Sequence, residues 1–218
     1  MTEFYSIKEK LLNFVSEKPY ICRDHNIKIS IINNENIFGI VKLYDLALKR
    51  GDWFASEYST IKNFAPNVEF FTWQMKRQDQ IWFAFLNSEH NVIGATKLAF
   101  SNNGSIIIDE TQLHPELGRR KGIMKRYFSN IIPILDELNL RYCAEFILTP
   151  ESRSLRDALI NEHGMYPTGI KFNFFFNKKK QKPVSCLLAY SPYCTVENII
   201  NNIMKTDLKS EKKNFLMP

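Results

Sequence analysis

Between Leu113 and Met124 the chain reads Leu-His-Pro-Glu-Leu-Gly-Arg-Arg-Lys-Gly-Ile-Met. The run follows the apolar, β-branched Ile106-Ile107-Ile108 and opens a segment of helical periodicity. A strand therefore feeds a turn crowded with Arg119, Arg120 and Lys121, and Gly122 leads into a helix. Backbone N–H groups at such a helix start point outward, and the helix dipole with the flanking cations favours an anion there. Glycine permits close backbone approach. The chemistry this predicts is diphosphate binding without deprotonation or large motion. A solvated basic loop ahead of a helix would look the same in isolation, so its neighbours must decide. The turn lacks the Gly-x-x-x-x-Gly-Lys-Ser/Thr spacing of a P-loop, and no Gly-x-Gly-x-x-Gly accompanies it.

The elements that would position this turn follow from periodicity. Residues 1–25 are polar and weakly periodic, a short helix over Ile7–Val15 at most. Ile27–Ile32 alternates as a strand. Ile37, Val41, Tyr44 and Leu48 predict a helix over Glu35–Arg50 that stops at Gly51, and a second helix is predicted over Trp53–Phe64. Ile81–Leu86, Val92–Phe100 and Ser105–Leu113 form a three-strand meander, with turns at Asn87–His90 and Asn102–Gly104. A helix from Ile123 through Leu138 carries Pro133, which should kink or shorten it. Arg141–Leu148 is a strand. Thr149-Pro150-Glu151 starts a helix that ends at Gly164. Strands over Thr168–Phe176 and Val184–Tyr190 and a helix over Thr195–Met204 complete the order. This predicts an α/β domain with a mixed, mostly antiparallel twisted sheet of about seven strands and helices on both faces. It divides into an N-terminal extension (1–25), a main domain (26–192), and a C-terminal helix with a mobile tail (193–218).

Composition narrows the partners. The 218 residues carry a net charge of +6, with 44% hydrophobic and 24% charged residues, as in an ordinary globular protein. The charge suits an acidic partner such as a polyphosphate cofactor, nucleic acid or an acidic carrier protein. No apolar run approaches the roughly 18 residues of a membrane span. The amino terminus shows no secretory pattern, so a cytoplasmic location and no membrane partner are expected. Cys22, Cys143, Cys186 and Cys194 lack metal-ligand spacing and are expected to be reduced core residues, with no metal cofactor. Phe172–Phe176 followed by three lysines has the aromatic–basic character of nucleic-acid readers. A buried strand ending in a charged hairpin explains it as well, and nucleic acid is not expected as a partner.

The element order together with Arg119-x-x-Gly122-x-Met124 resembles the GNAT superfamily of acyl-CoA-dependent acyltransferases. Leu113-His114-Pro115 matches that family's apolar-x-Pro element. Gly164-Met165 matches its glycine-apolar step after the following helix. The resemblance covers about residues 27–191. It departs in one extra residue within Leu117-Gly118, in Met124 where a small residue is usual, predicting a bulkier cradle floor, and in Ile160, where many members have a tyrosine acid.

The resemblance implies acetyl-CoA or another acyl-CoA as co-substrate. Arg119, Arg120, Lys121, Gly122, Ile123 and Met124 would hold its phosphates. Thr111 and Leu113 would pair with the pantetheine arm, the Leu113 N–H serving the oxyanion, and Ser154 would contact the arm from the next helix. By strand alternation Ile106, Ile108 and Glu110 share one face, and Glu110 resembles the family's general base. Tyr166, just past Gly164, and the strand residues Tyr142 and Tyr190 are the tyrosines from which an acid could come, though core packing suits each. His114 is expected to be structural or solvent-facing. The helices of residues 35–64, with Tyr44, Trp53, Phe54 and Tyr58, and the Lys178–Lys182 hairpin would wall the acceptor site. The implied activity is N-acetyl (or short acyl) transfer to a primary amine of a small molecule or peptide. The alternative is a non-catalytic acyl-CoA or acyl-carrier-protein binding module. A homodimer is compatible with either.

Overall fold

The computed structural model describes residues 2–50, 66–100, 105–147, 150–175 and 183–190. The predicted segments at Gly51, Trp53–Phe64, Asn102–Gly104, Lys178–Lys182 and Thr195–Met204 lie outside them. Along the chain come α1 (Thr2–Glu17), β1 (Tyr20–Cys22), β2 (Ile27–Ile31), α2 (Ile37–Arg50), α3 (Val68–Lys76), β3 (Gln80–Leu86), β4 (Val92–Phe100) and β5 (Ser105–Leu113). They are followed by α4 (Ile123–Glu137), β6 (Arg141–Ile147), α5 (Pro150–His163), β7 (Tyr166–Phe175) and β8 (Pro183–Tyr190). Two compact units share these elements. One holds α1 through β4, most of β5, and α4. The other holds β6, α5, β7 and β8.

In the first unit the strands lie in the order β1-β2-β3-β4-β5. β2 pairs antiparallel with β3 (Ile29 opposite Phe85), and β3 with β4 (Phe83 opposite Thr96, Phe85 opposite Gly94). Alternation sorts β3 onto two faces. Trp82 meets Tyr44 of α2 and Phe71 of α3, with ring centroids 5.8 and 5.5 Å away. Phe83 and Phe85 meet Tyr127 of α4 at 5.8 and 5.4 Å. Helices therefore cover both faces of the strands, as the pattern predicted.

The helices show where periodicity sufficed. α2 buries Ile37, Ile40, Leu43, Tyr44 and Ala47, a stripe rotated slightly from the predicted one. Its start is tied by Asn33, whose Oδ1 accepts the Glu35 and Asn36 N–H groups at 2.9 and 3.2 Å. α1 is longer than predicted and buries Ile7, Leu11 and Phe14 at helical spacing. β1, unpredicted, pairs antiparallel with β2 and brings the chain to eight strands among the described residues. α3 was also missed. Asn67 caps it, accepting the Phe70 N–H at 2.8 Å. Just past its end, the forked Arg77–Asp79 pair, at 2.6 and 2.9 Å, holds the Asp79 carboxyl below its usual value.

α4 buries Ile123, Met124, Tyr127, Phe128, Ile131, Ile132 and Leu135 on one face. Pro133 does not shorten it, since the helix runs on through Glu137. Pro133 is exposed, on the side of the helix away from that buried face.

In the second unit β8 inserts between β6 and β7, antiparallel to both. α5 ends at Gly164, whose φ of +66° is left-handed, and the Met165 N–H closes onto the Leu159 carbonyl at 3.1 Å. Cys22 and Cys143 are buried free thiols, as expected. No helix among the described residues is long and apolar enough to cross a membrane.

Tyr127 Oη is buried without a hydrogen-bond partner among the described residues. Burial pushes its phenol well above the usual value near 10.0. An unpartnered buried hydroxyl costs free energy, so Tyr127→Phe should raise unfolding stability by about 1 kcal/mol in denaturant melts. Above about pH 10 the unfolded phenol ionises while the buried one resists, so folded stability falls as pH rises. Tyr127→Phe should flatten that alkaline loss. A destabilised variant would mean that the hydroxyl has a partner.

Candidate functional site

The turn after β5 is built on His114 and one carbonyl of β4. The His114 N–H donates to the Ile93 carbonyl at 2.8 Å. The His114 carbonyl accepts the N–H groups of Gly118 and Arg119 at 2.9 and 3.1 Å. Its Nδ1 accepts those of Glu116 and Leu117 at 3.3 and 3.2 Å. One histidine thus satisfies most of the turn's inward-facing donors, the structural role expected of it. Gly118 is packed so closely that an added Cβ would lie 2.2 Å from the Ile93 carbonyl oxygen. Backbone, not a movable side chain, fills the space. Gly118 is thus seated against β4.

Two left-handed residues then bring the chain to the helix start, Arg120 and Gly122, each with φ of +64°. Gly122 is the N-cap and has no side chain to close the helix, and the first turn of α4 contains no acid. The first intrahelical bond runs from the Arg126 N–H to the Gly122 carbonyl at 3.0 Å. The N–H groups of Ile123 and Met124 therefore have no intrahelical acceptor. Both residues are buried, at 1% and 4% exposure, so neither offers a ligand its side chain. Met124 packs with the core face of α4, and its bulk goes there. Arg119 and Lys121 are half-buried and Arg120 is exposed. Together these groups can receive an anion with several oxygens.

Sequence reasoning missed the brace behind this turn. Arg126 Nη1 donates to the Lys121 carbonyl at 3.0 Å, and Nη2 lies 3.5 Å from Asp24 Oδ2. The i+4 spacing from Gly122 was visible. The partner, about a hundred residues away in the β1–β2 turn, was not.

β5 carries the other candidates. Glu110 is half-buried and left-handed at φ +51°. Period-two counting does not run through such a residue, so its side-chain direction cannot be counted from Ile106 and Ile108. A left-handed residue other than glycine costs roughly 1–2 kcal/mol. Its carbonyl accepts a hydrogen bond from the Tyr44 hydroxyl. Thr111 Oγ1 lies 2.8 Å from Thr96 Oγ1. Leu113 ends the strand, and its side chain covers Gly94, where a Cβ would lie 2.5 Å from Leu113 Cδ2. The structure thus gathers Glu110, Thr111, Leu113 and Arg119–Met124 along one strand–turn–helix.

The other candidates lie on other elements. Tyr44 has no exposed surface and lies against Phe71 at 5.3 Å, so it belongs to the core instead of walling an open cleft. Tyr142 is 1% exposed, and Tyr166 and Tyr190 lie in β7 and β8. Ser154 is exposed on α5, in the second unit. On the same helix, Arg153 and Arg156 lie 3.6 and 3.4 Å from Asp157. The Gly164-Met165 step is a left-handed helix stop, a device common to many helices.

No protein-family model matches the sequence, and a search among curated proteins finds no match. Solved structures do match by fold. An N-acetyltransferase from Staphylococcus aureus aligns with a TM-score of 0.59 at 15% identity, over 78% of this chain and 99% of that one. A GNAT superfamily phosphinothricin acetyltransferase from Sinorhizobium meliloti, in complex with acetyl-CoA, aligns with 0.56 at 16%, over 76% and 89%. A spermidine N-acetyltransferase from Vibrio cholerae, in complex with CoA and spermine, aligns with 0.53 at 14%, over 76% and 96%. At this identity the likeness establishes the fold, and the chemistry must be argued from this chain's residues.

The turn's geometry separates its two glycines. Gly118→Ala drives a Cβ into backbone and should lower stability by about 1–3 kcal/mol. Gly122→Ala meets only Arg126 Nη1, 3.5 Å away, and should cost about 1 kcal/mol for its left-handed backbone. Thermal melts of the two variants that show the reverse order would contradict the packing described.

Proposed function

We propose that this chain, which has the GNAT fold, is an acyl-CoA-dependent N-acyltransferase that moves an acetyl or short acyl group to a primary amine of a small molecule or peptide. The observation that carries the reading is the start of α4. It combines a left-handed glycine N-cap, outward N–H groups at Ile123 and Met124, no first-turn acid, and Arg119, Arg120 and Lys121 beside them. Those groups fit the diphosphate of coenzyme A, a dianion that accepts several N–H bonds at once. That two of the solved structures of this fold hold acetyl-CoA or CoA supports the same ligand here.

An acyl-CoA, when bound, supplies an activated thioester whose sulfur leaves as a thiolate and then takes up a proton. The residues of this chain would do the rest. Arg119, Arg120 and Lys121 would neutralise the phosphates, and the N–H groups of Gly122, Ile123 and Met124 would orient them. Backbone groups at Thr111 and Leu113 would align the amide-rich arm, with the Leu113 N–H donating to the carbonyl oxygen as negative charge develops. Ser154 is carried into this set by the family resemblance. Glu110 would take a proton from the acceptor ammonium, directly or through water, so that the free amine attacks. Holding both substrates together supplies much of the acceleration.

Two measurements test the reading. Titration calorimetry should show acetyl-CoA binding that weakens when Arg119 and Lys121 are changed to Ala and when salt is raised. Absence of binding by the unaltered protein would overturn the proposal. Glu110→Gln should lower turnover against a panel of amines by about 10²–10⁴-fold while acetyl-CoA binding persists. Unchanged turnover would remove Glu110 as base. Binding with no turnover by the unaltered protein, across amines and donors, would favour an acyl-CoA or acyl-carrier binding module instead.

A further inference from the structure

Glu110 sits in the middle of a strand with a backbone that strands do not adopt. At φ +51° its backbone leaves the extended strand conformation, and its carbonyl has a side-chain donor. The Tyr44 hydroxyl is that donor. Tyr44 is fully buried on α2, with Phe71 tilted against it at 5.3 Å and Trp82 edge-on at 5.8 Å. One residue on, Thr111 Oγ1 meets Thr96 Oγ1 of β4 at 2.8 Å. The peptide between Glu110 and Thr111 is therefore gripped from a helix on one side and from the neighbouring strand on the other.

We propose that Tyr44 is a positioning residue for the reaction: its hydroxyl holds the Glu110 carbonyl, fixes the left-handed turn of β5, and so sets the direction of the Glu110 carboxylate. The inference rests on the reading of Glu110 as the base. The backbone at residue 110 determines where its side chain leaves the strand, so a relaxed peptide would carry the carboxylate off its line to the amine. A misplacement of about 1 Å can cost about 10²-fold in rate. Tyr44 has no exposed surface, so it acts on the reaction through its hold on the Glu110 backbone and not by touching substrate.

Tyr44→Phe removes the hydroxyl and keeps the ring. It should lower kcat by about 10–100-fold, leave the KM for acetyl-CoA unchanged, and speed amide hydrogen exchange at Thr111. Phe71→Leu loosens the same aromatic cluster but keeps the hydroxyl. It should lower the melting temperature and leave kcat near that of the unaltered protein. Should Tyr44→Phe fail to fold, Thr96→Val releases the second grip and should lower kcat without moving that KM. An unchanged kcat in Tyr44→Phe or Thr96→Val would overturn the proposal. So would an equal kcat loss in Phe71→Leu, which would make Tyr44 merely a packing residue. The exchange measurement separates this proposal from the one beneath it. If Glu110→Gln leaves turnover intact the base assignment fails, yet unchanged Thr111 exchange in Tyr44→Phe would still refute the grip.

Discussion

The carbonyl of Ile93 determines where the turn after β5 can sit. It accepts the His114 N–H at 2.8 Å, and the Gly118 backbone lies against its oxygen so closely that no side chain fits between them. This pins both the entry to the turn and its middle to β4. His114 then gathers four further N–H groups through its carbonyl and Nδ1. With the inner donors satisfied, the remaining stretch from Arg120 to Met124 has its direction set by β4 and by α4. The outward N–H groups at the helix start are a consequence of that constraint.

Backbone and side chains divide the work. Ile123 and Met124 place their side chains in the core and leave only N–H groups for a ligand. That couples helix packing to the orientation of the donors, since the residues that anchor α4 are those that carry them. The cationic side chains lie outside this scaffold, where their charge can reach a phosphate without being buried. Arg126 serves the scaffold, holding the Lys121 carbonyl and reaching Asp24. β5 follows a similar logic. A strained residue, Glu110, occurs between groups that fix it, consistent with strain being kept at functional positions.

Much of this was legible in the residues. The bounds of β4 and β5 follow from alternation and turn residues, and α4 and α5 from apolar spacing and their glycine ends. The strand–turn–helix that carries the candidate site could be read because its signals are local. What escaped was non-local or looked like something else. β1 is a three-residue strand that has no pattern until β2 pairs with it. α3 is short and rich in aromatic residues, and its helix start is marked only by Asn67. The left-handed backbone of Glu110 breaks the alternation used to assign its face, and no residue type signals it. Tyr44 looked like a cleft aromatic because its partners, Phe71, Trp82 and Glu110, are distant in sequence.

The central claim is that the open N–H groups at the start of α4 receive the diphosphate of an acyl-CoA. Amide resonances report on those groups one by one. Titration of ¹⁵N-labelled protein with acetyl-CoA should move the Gly122, Ile123 and Met124 amides strongly and saturably, with smaller changes along α1. Saturable binding that leaves those three amides in place would contradict the account.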